Sequence, residues 1–411
     1  MASQPGPRSR RLATGFQALG SIDFRRWFLT QTLSGAGTMA QGVGQSWLVL
    51  QLGGGGVALG IVSGLVFVPT LLLGAPAGML VDTLSPRRIL VLTTTLQGAV
   101  SVCIGVLTLT HLISVPLLAV GSLVLGLGTA FDSPSRQVLV LDLVGPRMLA
   151  SAVGLNEIMI NSARVLGPAA AGALLTLTNA GTCFLFNALT TLPALALLTS
   201  PRWRRTHRIP PTHHARDDHR GRLREGIRYS GSHPSIRMCL LVAVLSCAVI
   251  NVSVVVPLLI ERIDGAAGAY GLTLACFGVG ALPGAYLSSL RHVAPSLRSI
   301  GVIALATAGA VAVCARSSSV AGLAISMGLV GLTSIWLIAA ANTHVLLTPA
   351  PALRSRVMGV WSMAMPGAMP LTGLAFGFGA AHLGASTSYA VVAGCVGLAG
   401  LGAITRRAHN D

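Results

Sequence analysis

The sequence carries little charge for its length. Only 9% of its 411 residues are charged and 53% are hydrophobic, which gives a mean hydropathy of +0.74. Soluble domains contain about a quarter charged residues, so a water-soluble globule of this composition would have too little charge to cover its surface. The chain is therefore predicted to be an integral membrane protein.

Lysine is absent, so all 28 basic residues are arginine, and they face only 11 acidic residues. A phosphate-binding loop of the type GxxxxGK[ST] requires a lysine, so direct ATP coupling through such a loop is excluded. The net charge of +17 would suggest nucleic acid as a partner in a soluble protein. Here the position of the arginines along the chain accounts for the charge, and no nucleic-acid partner is predicted.

The cysteines and acids form no pattern typical of a metal site or an enzyme. The seven cysteines are scattered through apolar stretches without paired spacing, which favours a role as small hydrophobic residues. The acids are dispersed rather than clustered, so a polytopic membrane enzyme or sensor is only a remote alternative, and no cofactor or metal is predicted. One central segment is rich in histidine, and a solvated linker is favoured there over a metal site: His207, His213, His214 and His219 lie beside Asp217 and Asp218.

Long apolar runs fill most of the chain. A membrane-spanning helix needs about 20 mostly apolar residues, and twelve such runs occur, separated by polar or turn-rich segments. They predict an all-α membrane protein with two groups of six spans. The predicted spans are residues 27–50, 58–81, 89–110, 115–131, 149–177 and 181–198, then 239–259, 268–290, 300–315, 320–344, 357–379 and 386–404.

Arginines are distributed unevenly between the two sides of this arrangement. With the N-terminus inside, 25 of the 28 arginines fall on the inner side. Short inner loops retain positive charge, so both termini are predicted to be cytoplasmic, and the arginines are expected to contact membrane lipid. The predicted organisation is a cytoplasmic segment 1–26, a six-helix bundle 27–200, a cytoplasmic Arg/His-rich linker 201–238, a second six-helix bundle 239–404 and a cytoplasmic tail 405–411.

The two halves of the chain resemble each other faintly. Gly154 and Gly172 have counterparts in Gly359 and Gly377, each 205 residues later. Transporters are often built from internal repeats, so this spacing agrees with a division into six and six spans.

The loop after the second span resembles the signature loop of the major facilitator superfamily, G-x-x-x-D-R-x-G-R-R. The corresponding residues are Gly78, Asp82, Arg87 and Arg88, with the arginine pair one position later than in the pattern. Thr83 and Ser85 replace the arginine and glycine of the family pattern. Asp132 and Arg136, after the fourth predicted span, resemble the arginine region of the same family, and Pro134 between them is expected to lie near a helix end.

The fifth span is similar to the antiporter pattern of the superfamily's exporters, G-x8-G-x3-G-P-x2-G-G. The candidate motif residues are Gly154, Ala163, Gly167, Pro168 and Gly172. Small residues allow helices to approach closely and a proline favours a bend, so helix packing alone is the alternative explanation. In the family, this pattern is associated with export.

The segments 224–229 and 354–359 resemble the drug, macrolide and siderophore exporter branch of the superfamily. That resemblance implies two pseudo-symmetric six-helix bundles around a midplane cavity, in a monomer of the bacterial inner membrane. It also implies export of a small amphipathic molecule (a drug, secondary metabolite or siderophore) by proton antiport. An uptake symporter of the same fold is the alternative.

Charged and polar residues inside the spans are the candidates for binding substrate and protons. Glu157 and Arg164 are seven residues apart in the fifth span, so they share one helix face. Glu157 is the proton-coupling candidate, and its alternatives are a structural ion pair between helices or a side chain that simply reaches the cytoplasmic interface. The substrate-cavity candidates are Arg164, Asn161, Asn156, Gln41 and Gln45, of which the two glutamines are explained equally well by hydrogen bonds between helices. Asp82, Arg87, Arg88, Asp132 and Arg136 are predicted to form a cytoplasmic latch that breaks during transport.

Overall fold

The computed structural model of the protein describes residues 17–73, 84–201, 203, 219–263, 265–289 and 294–405. Within these residues the chain is helical and has no β-strand, as the long apolar runs predict. Gly78 and Asp82 of the signature loop lie outside the described residues, and so do His207, His213 and His214 of the histidine-rich segment.

Six helices form the N-terminal half. A short 3₁₀ turn, Gln17–Gly20, precedes the first of them. The helices are α1 Ile22–Gln51, α2 Gly56–Leu65, α3 Pro86–Leu109, α4 Val115–Gly145, α5 Gly154–Leu177 and α6 Ala180–Thr199. The apolar span that begins with α2 runs to Leu73.

Eight helices follow in the C-terminal half. They are α7 His219–Ser232, α8 Pro234–Ile250, α9 Val252–Arg262, α10 Ala267–Ser289, α11 Leu297–Arg316, α12 Val320–Leu347, α13 Pro351–Leu383 and α14 Ala385–Thr405. Serine, asparagine and proline mark many of the helix starts. Ser296 and Ser319, for example, accept hydrogen bonds from backbone N–H groups in the first turns of α11 and α12, where these groups lack helical partners.

Nine helices in the described parts of the chain are long and apolar enough to cross a membrane. They are α2 to α6, α10 to α12 and α14. The bent pair of α7 and α8 brings the number to ten. Helices α1 and α13 are long as well, but they contain arginine and several glycine, serine and threonine residues. With these two, the order of helices agrees with the twelve predicted spans.

The fourth span is longer than predicted. Helix α4 continues past residue 131 and through Pro134, and the break comes at Gly145, whose φ of 67° lies in the left-handed region that glycine tolerates. The expectation of a helix end near Pro134 is therefore wrong. Asp132 and Arg136 pair with each other one turn apart, which allows this polar part of the chain to remain helical.

The seventh span differs from prediction, and the central linker contains helices. The span 239–259 is broken between α8 and α9 at Asn251, whose ψ of 50° is not helical. The Asn251 side-chain amide donates to the Met369 carbonyl oxygen of α13 at 3.1 Å. This hydrogen bond satisfies the one strongly polar side chain at the break, in an otherwise apolar stretch of sequence. The described last part of the predicted linker 201–238 is helical, since it contains α7 and the first turn of α8.

The most extensive contacts between the two bundles are those of α2 with α13 and of α5 with α10, and α1 and α2 also contact α9. Within the N-terminal bundle, α1 packs between α5 and α6, and within the C-terminal bundle α10 packs on α12 and α11 on α14. We call the end where α1 and α5 finish, and α2 and α10 begin, the closed end. The opposite end, where α1 begins and α6 finishes, is called the arginine-rich end.

Candidate functional site

Glycines bring the backbones of α2 and α13 together. A Cβ atom on Gly56 would lie 2.7 Å from the carbonyl oxygen of Gly377, and one on Gly60 equally close to that of Gly373. One turn further, a Cβ on Gly64 would lie 3.2 Å from the Cα of Pro370. Any side chain at the first two positions would push the helices apart, so this α2–α13 seam depends on glycine.

The α5–α10 seam is built in the same way. A Cβ on Gly172 would lie 3.1 Å from the Cα of Gly271, and one on Gly271 would lie 2.7 Å from the Pro168 carbonyl oxygen. Further along α10, a Cβ on Gly278 would lie 2.6 Å from the Arg164 carbonyl oxygen. Pro168 and Gly172 of the antiporter-like motif therefore pack against the other bundle.

Both seams lie toward the closed end. An aromatic pair crosses between the bundles there, because Trp47 of α1 stacks on the fully buried Tyr270 of α10 with ring centroids 6.1 Å apart. Toward the arginine-rich end, a Cβ on Gly154 of α5 or on Gly359 of α13 would meet no atom within 4 Å. These two glycines at the arginine-rich end therefore make no close contact of the kind that the seam glycines make.

One face of α5 points into the region between the bundles. Ala163 and Gly167 face α1, since a Cβ on Gly35 of α1 would lie 3.2 Å from the Ala163 Cβ and one on Gly167 would lie 2.6 Å from an α1 carbonyl oxygen. Gly172 faces α10. At 100° per residue, Arg164 lies between these two directions, and Glu157 lies two turns earlier on the same side.

Three polar residues on this face are connected. The Asn161 side-chain amide donates to the Glu157 carbonyl oxygen at 2.8 Å, and the Arg164 guanidinium donates to the Asn161 Oδ1 at 3.3 Å. Among the residues that the structure describes, no carboxylate forms an ion pair with Arg164, although Glu157 is close enough to interact with it electrostatically. Glu157 is exposed and Asn156 is half-buried. The cation at mid-span is therefore held by a neutral amide.

The two glutamines of α1 lie inside the N-terminal bundle. Gln41 accepts hydrogen bonds from Ser101 and from Asn187, each at 2.6 Å, and Gln45 donates to Ser122 at 3.1 Å. All these side chains are buried. The geometry favours the packing explanation over contact with a cavity. Asn187 was not among the predicted residues, although a single asparagine in the apolar sixth span was a signal for it.

Arg136 is held by residues of its own bundle. Its guanidinium donates to Asp132 at 2.7 and 3.1 Å, bonds to Gln31 and lies 5.7 Å from the ring centroid of Trp27. Asp132 also accepts a hydrogen bond from Thr93 at 3.4 Å. These contacts link α1, α3 and α4 at the arginine-rich end.

Other arginines at this end have different neighbours. Arg87 donates to the Leu198 carbonyl at the end of α6, and Arg88 is exposed. In the C-terminal half, Arg356 of α13 forms an ion pair with Glu225 of α7. The latch residues that the structure describes therefore sit at one end of the molecule, and the contacts of Arg136 stay within one bundle.

A separate cavity of about 270 Å³ lies among α8, α13 and α14. Leu245, Phe376 and Val392 belong to its mainly apolar lining, and none of the candidate residues does. The chemistry of α5 is thus distinct from this cavity inside the C-terminal bundle.

The chain matches one protein family over nearly its whole length. Residues 13–409 match the family described as transmembrane secretion effector. The staphyloferrin A transporter of Staphylococcus aureus (strain NCTC 8325 / PS 47) is 32% identical over 148 residues. That alignment covers 36% of this chain and 37% of the relative, so it spans little more than a third of the relative's length.

Solved structures share the fold at low sequence identity. The nucleoside transporter NupG superposes with a TM-score of 0.74 at 11% identity, covering 94% of this chain and 100% of that one. A bacterial homologue of the iron transporter ferroportin in an inward-facing state gives 0.68 at 17% identity, with 93% and 99% covered. The inward-facing, unoccupied bacterial homologue of the lysosomal transporter Spinster gives 0.68 at 16% identity, with 93% and 94% covered. The chain therefore belongs to the transmembrane secretion effector family of the major facilitator superfamily, and it is a multi-pass membrane transporter rather than an enzyme.

Proposed function

We propose that the protein exports a small amphipathic molecule in exchange for protons, with its arginine-rich end and both termini in the cytoplasm of a bacterial cell. One observation carries the proposal. Helix α5 places Glu157 and Arg164 on a face between the bundles, beyond the point where the glycine seams close the opposite end. A molecule from the cytoplasm would reach these side chains without crossing the closed seams.

Alternating access requires the seams to part. Both are made of backbone contacts between small residues, and the ion pairs that the structure describes lie elsewhere. Packing contacts in a membrane are individually weak. Because the described seam contacts include no ion pair, separating the helices leaves no charge unpaired. The arginine-rich end would then close through the proposed latch of Asp82, Arg87, Arg88, Asp132 and Arg136, with the protein working as a monomer.

Arg164, Asn161 and Asn156 are the proposed substrate contacts. A guanidinium at mid-span is costly without an anionic partner, and Arg164 is hydrogen-bonded only to the neutral Asn161 amide among the described residues, so an acceptor group of the substrate would bind it favourably. Gln41 and Gln45 have their hydrogen bonds inside the bundle, which supports a structural role for them.

Glu157 is the proposed proton carrier. In the predicted C-terminal bundle, residues 239–404, the sequence has only two acids, Glu261 and Asp264, and both follow the seventh predicted span. Glu157 is exposed. If the carboxylate binds either a proton or a polar group of the substrate, the two compete, and competition for one site is what exchange requires.

Efflux of a compound panel from an efflux-deficient bacterial host tests this function. Glu157→Gln is expected to abolish protonophore-sensitive efflux, because the amide cannot take up a proton. Glu261→Gln, an exposed carboxylate outside the proposed site, is the matched control and is expected to retain it. Efflux retained by Glu157→Gln would contradict the proposed role of this residue. Net accumulation of the compound would show that the protein takes it up rather than exporting it.

A further inference from the structure

Helix α7 lies across the membrane-spanning helices rather than along them. Its segment Arg224–Ser232 meets α8 at an angle of 104°. Spanning helices tilt by about 20° from the membrane normal, so an axis at this angle to α8 lies close to the membrane plane. Only His233 separates the two helices, which places α7 at the depth where α8 enters the membrane.

One face of α7 is fixed to α13. Gly226 packs against the α13 backbone, where a Cβ would lie 2.9 Å from the Arg356 carbonyl carbon and 3.3 Å from a side-chain carbon of Val360. The neighbouring Glu225 forms an ion pair with the Arg356 guanidinium. The single acid of α7 is therefore already neutralised by a residue of the bundle.

The opposite face of α7 is basic and carries an exposed apolar residue. Arg224 and Arg228 are exposed, and Ile227 is 55% exposed. At 100° per residue these three positions fall within about 100° of the helix circumference, and Arg220 falls within the same sector. In the described part of the chain, neither Arg224 nor Arg228 has a hydrogen-bond or ion-pair partner.

We infer that this exposed face of α7 binds the headgroups of anionic phospholipids. An arginine guanidinium offers paired N–H donors that match phosphate oxygens, and an in-plane helix with arginine beside an aliphatic residue suits the boundary between headgroups and acyl chains. The net positive charge of the face selects anionic over zwitterionic lipid. Ile227 contacts the acyl chains and is removed from water.

Lipid binding at α7 has a mechanical consequence. Glu225 and Gly226 connect α7 to the start of α13, and α13 forms the α2–α13 seam at its other end. An anionic lipid that fixes α7 therefore also restrains the arginine-rich end of α13. The bound lipid stabilises the folded C-terminal bundle against thermal unfolding, by mass action on the native state.

Thermal unfolding of the purified full-length protein in detergent tests the inference without any transport assay. Phosphatidylglycerol added to the micelles is expected to raise the midpoint by several degrees, while phosphatidylcholine at the same concentration is not. Arg224→Gln together with Arg228→Gln should remove the difference between the two lipids. The charge-conserving pair Arg224→Lys and Arg228→Lys should keep most of it.

Arg316→Gln provides the matched control, because Arg316 is an exposed arginine at the closed end. It is expected to leave the response to phosphatidylglycerol unchanged. Equal responses of the wild type to both lipids would overturn the inference, and so would a full phosphatidylglycerol response in the double glutamine variant. Because the measurement follows unfolding, loss of export activity in a separate assay would bear on the proposed function and not on this result.

Discussion

The two seams between the bundles are alike in their backbones and differ in charge. In the α2–α13 seam, Gly56 and Gly60 face Gly377 and Gly373, and the contact continues to Pro370 without a charged side chain. In the α5–α10 seam the glycines lead to a backbone contact at the carbonyl of a charged residue, Arg164 of α5. One seam is thus a purely mechanical contact, whereas the other ends beside the proposed binding face.

This difference separates two tasks that a carrier must perform. Both seams have to close one end of the molecule, and glycine makes that possible because it lets backbones touch. Only the α5–α10 seam is placed to respond to a ligand, since Arg164 and its partner Asn161 lie on the helix that forms it. We therefore expect changes in the two seams to have similar effects on transport and different effects on substrate binding.

The largest effect is expected from filling a seam. Gly271→Leu places a side chain against the backbone of Gly172 and Pro168, and Gly60→Leu does the same against Gly373. Overpacking of about 3 kcal/mol lowers the population of the closed seam roughly 100-fold. Substrate efflux at matched expression should therefore fall to background in both variants.

The affinity for a transported compound is expected to distinguish the two variants. Gly60→Leu should retain affinity for a transported compound in an equilibrium binding measurement, because the α2–α13 seam carries none of the proposed substrate contacts. Gly271→Leu should weaken the affinity, because it displaces α5, the helix that carries Arg164. Gly309→Leu is the control, since a Cβ there meets no atom within 4 Å. Wild-type efflux by either seam variant would show that the seam need not close.

A smaller effect is expected from contacts within a bundle, which do not have to part. Asn187→Ala removes the hydrogen bond that Asn187 donates to the Gln41 side chain. The buried amide oxygen of Gln41 then accepts only the hydrogen bond from Ser101. The expected loss is about 1–2 kcal/mol of stability, measured as a lower unfolding temperature in detergent. Transport per folded molecule should remain. A complete loss of transport would show that Asn187 takes part in the transport mechanism. The exposed Ser362→Ala serves as the neutral control.

Much of the architecture could be predicted from the sequence, because apolar runs and arginine positions are direct consequences of the membrane. The spacing of 205 residues between Gly172 and Gly377 also has a structural counterpart, since each faces a glycine of the other bundle. Their partners Gly271 and Gly56 could not be chosen in advance. The chain has 49 glycines, and only the three-dimensional crossing of two helices selects those that touch.

The candidate site was only partly predictable for a related reason. A spacing of seven residues was sufficient to place Glu157 and Arg164 on one helix face. The direction in which Gln41 turns depends on where α3 and α6 pack, because its hydrogen bonds come from Ser101 and Asn187. Helix periodicity alone does not contain that information.

A reversible cross-link across the α5–α10 seam tests the central claim most directly. A Cβ on Gly268 would lie 3.7 Å from the Cβ of Thr176, which is close to the mean Cβ separation in disulfides, about 3.8 Å. With Thr176→Cys and Gly268→Cys combined, oxidation should stop efflux and reduction should restore it, while Thr176→Cys alone stays active under both conditions. Efflux that continues with the disulfide fully formed would contradict alternating access through this seam.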